Sequence, residues 1–197
     1  NVKERVIEYM LEKEEQNKLI DMSLSDFANE TSSESPAPGG GSISAYCGAM
    51  GIALGTMVAN LSAHKRGWDE KWEEFSKWAE KGLMYQNKLL SLVDEDTKAF
   101  NMIMTAFQLP KDTQEEKKIR QKAIQEATKN AILTPLEVMN ITCQSMEVIK
   151  AMAKDGNPNS ISDTAVGALC ARTAVMGAFL NVKINCKDYK DNTFVKK

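Results

Sequence analysis

Apolar residues recur at three- and four-residue steps along most of the chain, and no stretch sustains apolar–polar alternation, so helices are the predicted elements. Residues 2–21 are charged, with apolar positions at Val6, Ile7, Met10 and Leu11, which predicts an amphipathic helix. Ser23 precedes a short helical stretch containing Leu24 and Phe27. Residues 32–41 hold two prolines and end on Gly39, Gly40 and Gly41, which predicts a loop. A helix is expected from near Ser42 to about Ser62. Residues 68–107 then carry Trp72, Phe75, Ala79, Leu83, Leu89, Val93, Phe100, Ile103 and Phe107 at helical steps or their sums. Forty residues would span about 60 Å, so either a long spine or a break near Gly82 is expected. Pro110 ends this element. Thr113 with Glu116 has the form of a capping box, and its helix should kink or break at Pro135 and stop by Gly156. Residues 155–159 read as a turn, after which Ser162 and Asp163 open a last long helix running to about Asn185. The predicted fold is all-α, a bundle of long helices.

With 197 residues, the chain needs only one domain core. Its 25 basic and 27 acidic residues leave no cationic excess, which argues against nucleic acid as a partner. Cys47, Cys143, Cys170 and Cys186 form no C-x-x-C pair, and His64 is the single histidine, so no metal site is expected. The cysteines read as free buried thiols of a reducing compartment. No charged segment followed by an apolar run opens the sequence, so a cytoplasmic location is expected. The chain begins with Asn1, as a piece of a longer protein would. Residues 35–63 carry no charge before His64, and 43–61 are long enough to span a bilayer. Their richness in Gly, Ala, Ser and Thr instead predicts a buried helix of a protein without a membrane partner.

Several residues sit oddly in this pattern. The helix after the glycines has a bulky stripe of Ile43, Tyr46, Met50, Leu54, Met57 and Leu61 at core spacing. Opposite it lie Ala45, Gly48, Gly51, Gly55 and Ala59. Three interior glycines cost about 3 kcal/mol of helix propensity, which close helix packing or a ligand ring against bare backbone would offset. The glycine loop lacks the Lys-Ser/Thr ending of a P-loop and follows no strand, so what it offers is free N–H groups at a helix N-terminus. Asp96 falls in the core register between Val93 and Phe100, where a carboxylate needs a partner or a raised pKa. Asp94 and Glu95 lie off the stripe and read as solvated. Asp163 suits the first turn of its helix, and Asn60 and Asn181 are amides inside apolar helices, buried or facing a ligand. His64, Lys65 and Arg66 gather at a helix C-terminus, where cations complement the dipole.

The segments Ser35-Pro36-Ala37-Pro38-Gly39-Gly40-Gly41-Ser42, Met57-Val58-Ala59-Asn60-Leu61 and Leu92 to Phe100 resemble the formiminotransferase-cyclodeaminase family of folate enzymes. Ser162-Asp163 and Ala178-Phe179-Leu180-Asn181-Val182-Lys183-Ile184-Asn185 add to the likeness, which covers roughly residues 24–194. Residues 1–22 resemble the connector of the bifunctional enzyme, which implies a division into a connector-like helix and a cyclodeaminase-like domain over 23–197.

The resemblance implies a self-associating, all-helical domain that binds tetrahydrofolate polyglutamate and uses no cofactor beyond that substrate. It also implies a formiminotransferase domain in the same longer chain. The implied reaction is conversion of 5-formimino-tetrahydrofolate to 5,10-methenyl-tetrahydrofolate with release of ammonia. By that resemblance Asp96 and Asp163 would move the protons, the glycine loop (Gly39, Gly40, Gly41, Ser42) and Asn60 would hold the pterin, and Asn181 would contact the substrate. Lys65, Arg66 and Lys183 would meet the carboxylates of the glutamate tail. The alternatives are a methenyltetrahydrofolate cyclohydrolase on the same scaffold and a non-catalytic helical dimerisation module.

Overall fold

A computed structural model describes residues 18–195. After a 3-10 turn at Leu19–Asp21 come α1 (Leu24–Ser32), α2 (Gly40–Ala63), α3 (Trp72–Gln108), α4 (Gln114–Asp155), α5 (Ile161–Asn185) and α6 (Asn192–Val195). No strand occurs among the described residues, and the all-α reading holds. The helix expected over 2–21 lies largely outside the described residues.

The boundaries follow local chemistry. Ser23 Oγ accepts the Asp26 N–H and caps α1. Thr113 Oγ1 accepts the Glu116 N–H while the Glu116 carboxylate accepts from the Thr113 N–H, the expected capping box of α4. α3 is an unbroken spine. Gly82 does not interrupt it but makes room for Thr56 of α2, whose Oγ1 occupies the space a Cβ would fill.

α4 also runs unbroken through Pro135, where a kink or break was expected. Proline has no N–H to give the carbonyl four residues back, which here is Ala131 O. Asn185 Nδ2, from the end of α5, donates to that carbonyl at 2.7 Å. A neighbouring helix thereby supplies the hydrogen bond that proline withholds.

α2 is the central helix and packs against α3, α4 and α5. It is antiparallel to α3, since Ser42 meets Val93 while Thr56 meets Gly82. It is antiparallel to α5 as well, with Gly40 beside Asn181, Gly177 beside Ser44 and Gly51 beside Gly167. A Cβ on Gly51 would lie 2.8 Å from Gly167 O, and one on Gly167 would lie 2.8 Å from Gly51 O. The two backbones therefore touch directly, and close helix packing accounts for these interior glycines.

The bulky stripe of α2 does not form the core that its spacing implied. Ala45, Gly48, Gly51, Gly55 and Ala59 are buried, whereas Met50, Met57 and Leu61 are exposed and Ile43, Tyr46 and Leu54 half-buried. The small face is the core because it admits the α5 backbone at Gly51 and side chains of α3 and α4 at Gly41 and Gly48. On α3, Phe75, Leu89 and Val93 are buried as the pattern implied, but Trp72, Leu83 and Phe107 are exposed. All four cysteines are free, yet Cys143 is exposed and the other three half-buried, so the expectation of buried thiols fails.

Two stability measurements probe this packing. Gly51→Ala should lose about 2 kcal/mol in urea unfolding despite its better helix propensity, because rigid backbone must yield to the new methyl. Asn185→Ala should lose about 1 kcal/mol in the native sequence and much less in a Pro135→Ala background, where residue 135 regains its own N–H. An equal loss in both backgrounds would show that the Asn185 amide does not substitute for the proline.

Candidate functional site

The proline-glycine loop delivers the chain to the N-terminus of α2, with Gly39 as the N-cap. Here the first turn of α2 is pressed against α3 at Asp96. A Cβ on Gly41 would fall on the Asp96 carboxylate, so glycine is required by the approach itself. Ser42 is wholly buried, and its hydroxyl lies 3.0 Å from both Val93 O and Asp96 Oδ2. Thr97 Oγ1 stands 3.4 Å from the same hydroxyl. The Ser42 backbone N–H also reaches the carboxylate. Asp96 thus sits over the positive end of α2, where unpaired N–H groups favour an anion.

Two opposing effects set the proton affinity of Asp96. Burial raises its pKa, the hydrogen bonds from the Ser42 side chain and backbone lower it, and burial prevails. A half-buried carboxyl of raised pKa, touched by a helix N-terminus, holds its proton to higher pH than a solvated aspartate and can both give and accept one.

Asn181 of α5 completes this end. Its amide lies beside Gly40, and Nδ2 donates to Gly177 O at 3.0 Å. Lys183 is exposed on the same last stretch of α5. Gly39, Gly40, Gly41, Ser42, Asp96 and Asn181 are therefore gathered by the fold. Ser42 departs from its expected part, since complete burial keeps it from a ligand and makes it a support for Asp96.

Other expected site residues lie elsewhere. Asn60 is exposed near the opposite end of α2. His64, Lys65 and Arg66 line a cavity of about 330 Å³ there with Asp69 and Trp72, and Lys65 Nζ lies 3.9 Å over the Trp68 ring. Asp163, half-buried in the first turn of α5, belongs to this end too, because Asn157 just before α5 donates to Ser62 Oγ at 2.8 Å. The 18 residues from Asp163 to Asn181 correspond to about 27 Å along the helix. One chain does not bring its two aspartates together.

A cleft of about 1200 Å³ lies one turn from Asp96. It is formed by residues 18–22, Glu30, Ala37, the C-terminal part of α3 and the N-terminal part of α4. Its apolar lining includes Leu19, Met102, Ala106, Leu109 and Ala127, and Thr97 joins it to the Asp96 network. Asp94 does not stand free in solvent as the pattern implied. Its Oδ1 accepts the Leu19 N–H at 2.7 Å, seating residues 18–22 as one wall. No local sequence signal marks this cleft, since its walls come from separate parts of the chain. Among the described residues, no group of three or more metal-binding side chains comes together.

The sequence profile of the family described as formiminotransferase-cyclodeaminase matches residues 23–197. This chain belongs to that family. Among formiminotransferase-cyclodeaminase relatives, the rat formimidoyltransferase-cyclodeaminase is 36% identical over 99% of this chain, which spans 36% of the rat protein's length. The methenyltetrahydrofolate cyclohydrolase of Methylorubrum extorquens is also 36% identical, over 88% of this chain and 84% of its own length. The crystal structure of the Thermotoga maritima formiminotetrahydrofolate cyclodeaminase superposes with a TM-score of 0.78 at 30% identity, covering 89% of this chain and 84% of that one.

Asp96→Asn tests the electrostatics of the site. With its pKa raised in the folded state, Asp96 binds its proton more tightly folded than unfolded, so its ionisation opposes folding as pH climbs through the window between the two values. Unfolding free energies of Asp96→Asn and native protein should therefore shift in the variant's favour as pH rises from the ordinary aspartate value, about 3.9, through the raised value of the folded state. A difference independent of pH would remove the burial argument.

Proposed function

We propose that this chain is an enzyme of reduced-folate chemistry, a formimidoyltetrahydrofolate cyclodeaminase, working without a cofactor beyond its substrate. The observation that carries this reading is the Asp96 carboxyl, raised in pKa and held against the glycine N-terminus of α2 by Ser42. In the reaction N10 of 5-formimino-tetrahydrofolate attacks the formimino carbon. The N10 proton must leave, and the departing nitrogen must gain one before the carbon–nitrogen bond breaks and ammonia goes. A carboxyl whose proton affinity burial raises suits both demands. Its anionic form also faces the cationic methenyl product.

Asp163 enters this reading through a second copy of the chain. Ser162, Val166, Leu169, Thr173, Met176, Leu180 and Lys183 recur on α5 at alternating steps of four and three, the spacing of a helix–helix seam. All of them are exposed, Leu169 by 62% and Leu180 by 61%. α5 is apolar enough to pass as a membrane span, and an antiparallel pair about Thr173 would cover that surface instead. Asp163 and Lys183 lie equally far from Thr173, so the pairing sets each Asp163 against the partner's Lys183 and near the partner's Asn181. Each site then draws Asp96 from one protomer and Asp163 from the other. Lys65 and Arg66 of the partner subunit arrive at the same end, where they and Lys183 suit the carboxylates of a polyglutamate tail.

The cyclohydrolase reading has its own support in the Methylorubrum relative, which this chain matches over most of both lengths. The two reactions share the methenyl product or substrate and differ in whether ammonia or water is exchanged. Purified protein given 5-formimino-tetrahydrofolate should raise methenyl absorbance and free ammonia together. Hydrolysis of methenyl-tetrahydrofolate without ammonia release from the formimino substrate would favour the cyclohydrolase.

Asp96→Ala and Asp163→Ala should each lower kcat by about 10²- to 10⁴-fold while leaving the helical fold intact. Co-refolding the two inactive variants should restore about a quarter of native turnover, one intact site in each mixed dimer. Failure to recover any activity would refute a site shared between protomers.

A further inference from the structure

Resting on the reading of the site as one for reduced folate, we propose that the cleft between residues 18–22, α3 and α4 is the pterin subsite, with the Glu30 carboxylate reading the edge of the ring. The cleft adjoins the catalytic end directly, since Thr97 lines it while standing 3.4 Å from the Ser42 hydroxyl that holds Asp96. Ala37, from the loop leading into α2, lines it as well. A ring lodged here would lie beside Thr97, the chain neighbour of Asp96. The volume of about 1200 Å³ accommodates a bicyclic ring, and Met102, Ala106, Leu109 and Ala127 offer flat apolar surface to its faces.

The charge at the rim selects which end of folate belongs here. Asp21, Glu30, Asp94 and Glu126 face Lys18 and Lys98, an acidic balance that disfavours the carboxylates of the glutamate tail. The 2-amino-4-oxopteridine ring presents the opposite requirement. Its 2-amino group and N3–H are adjacent parallel donors, which one carboxylate accepts in bidentate fashion.

Of the four rim carboxylates, three are otherwise disposed. Asp94 accepts from Leu19 N–H, Glu126 lies 3.9 Å from Lys122 on the surface, and Asp21 is exposed. Glu30 is half-buried and has no salt bridge among the described residues. It stands on α1, which follows the residue 18–22 wall that Asp94 latches to α3 and sets Phe27 against Tyr46 of α2 at 5.4 Å between ring centroids. The glutamate tail then leaves the other way, toward the cationic residues.

The test compares two probes by equilibrium dialysis: 5-formyl-tetrahydrofolate, an unreactive reduced folate, and p-aminobenzoylglutamate, which lacks the pterin. Native protein should bind the first at least about tenfold more tightly. Glu30→Gln replaces an acceptor by a donor at the ring edge and should weaken 5-formyl-tetrahydrofolate about tenfold or more while leaving p-aminobenzoylglutamate unchanged. Ala123→Trp, which fills the cleft from α4 at a distance from Asp96, should have the same selective effect. Circular dichroism would confirm that both variants fold. The proposal is overturned if both variants bind 5-formyl-tetrahydrofolate within twofold of native protein, or if native protein binds neither probe. Turnover is measured separately. Selective loss of 5-formyl-tetrahydrofolate binding in a protein that releases no ammonia would support the subsite while rejecting the cyclodeaminase reaction.

Discussion

The direct contact of α2 with α5, backbone against backbone at Gly51 and Gly167, sets the geometry of everything around it. With the glycine backbones touching, neither helix can slide along the other without forcing a side chain into a carbonyl. That register places Gly40 beside Asn181 at one end and puts Asp163 at the other. The same small face of α2 admits α3 at Gly41 and α4 at Gly48, where a Cβ would meet Thr142 Oγ1. The helix-propensity penalty of about 1 kcal/mol per interior glycine is therefore offset by burial on three sides at once.

From this frame the properties of Asp96 follow without further machinery. Because Gly41 lets α3 approach, the carboxylate meets a helix N-terminus rather than solvent, and Ser42 is buried behind it as a fixed donor. Desolvation and hydrogen bonding then pull its proton affinity in opposite directions, with desolvation the stronger. A carboxylate supported only by its own helix could not be tuned this way, since the opposing donors come from a different helix.

The sequence disclosed some of this well and some of it badly, for identifiable reasons. The four long helices, the Thr113 capping box and the oddity of Asp96 were legible because each depends on residues close in the chain. The packing role of the small face of α2 was legible, but its bulky stripe is far less buried than core spacing implied. Hydrophobic periodicity assumes that bulk marks the core, and that assumption fails where the gain comes from bringing backbones together. Pro135 misled for a related reason, since the donor that keeps α4 intact is Asn185, 50 residues away. The cleft beside Asp96 escaped notice altogether, because Asp94 finds its partner at Leu19 across the fold and only then becomes part of a wall.

The separation of Asp96 from Asp163 bears on how a site should be sought in helices of this kind. Two long antiparallel helices necessarily put residues near their opposite termini tens of ångströms apart, so no adjustment of side chains in one chain could bring the two carboxyls to one substrate. The proposed two-fold pairing of α5 would resolve the difficulty with the surface that most needs covering, because an antiparallel partner exchanges the ends. The proposed arrangement also sorts charge. Within one chain, the cations near His64 lie far from Asp96, and across the pair they reach the end at which an anionic tail would emerge. The cleft proposed for the pterin opens beside Thr97, where carboxylates outnumber lysines. An extended substrate with a donor-rich ring at one end and carboxylates at the other would then lie in one direction only, with its reacting carbon held over the α2 N-terminus.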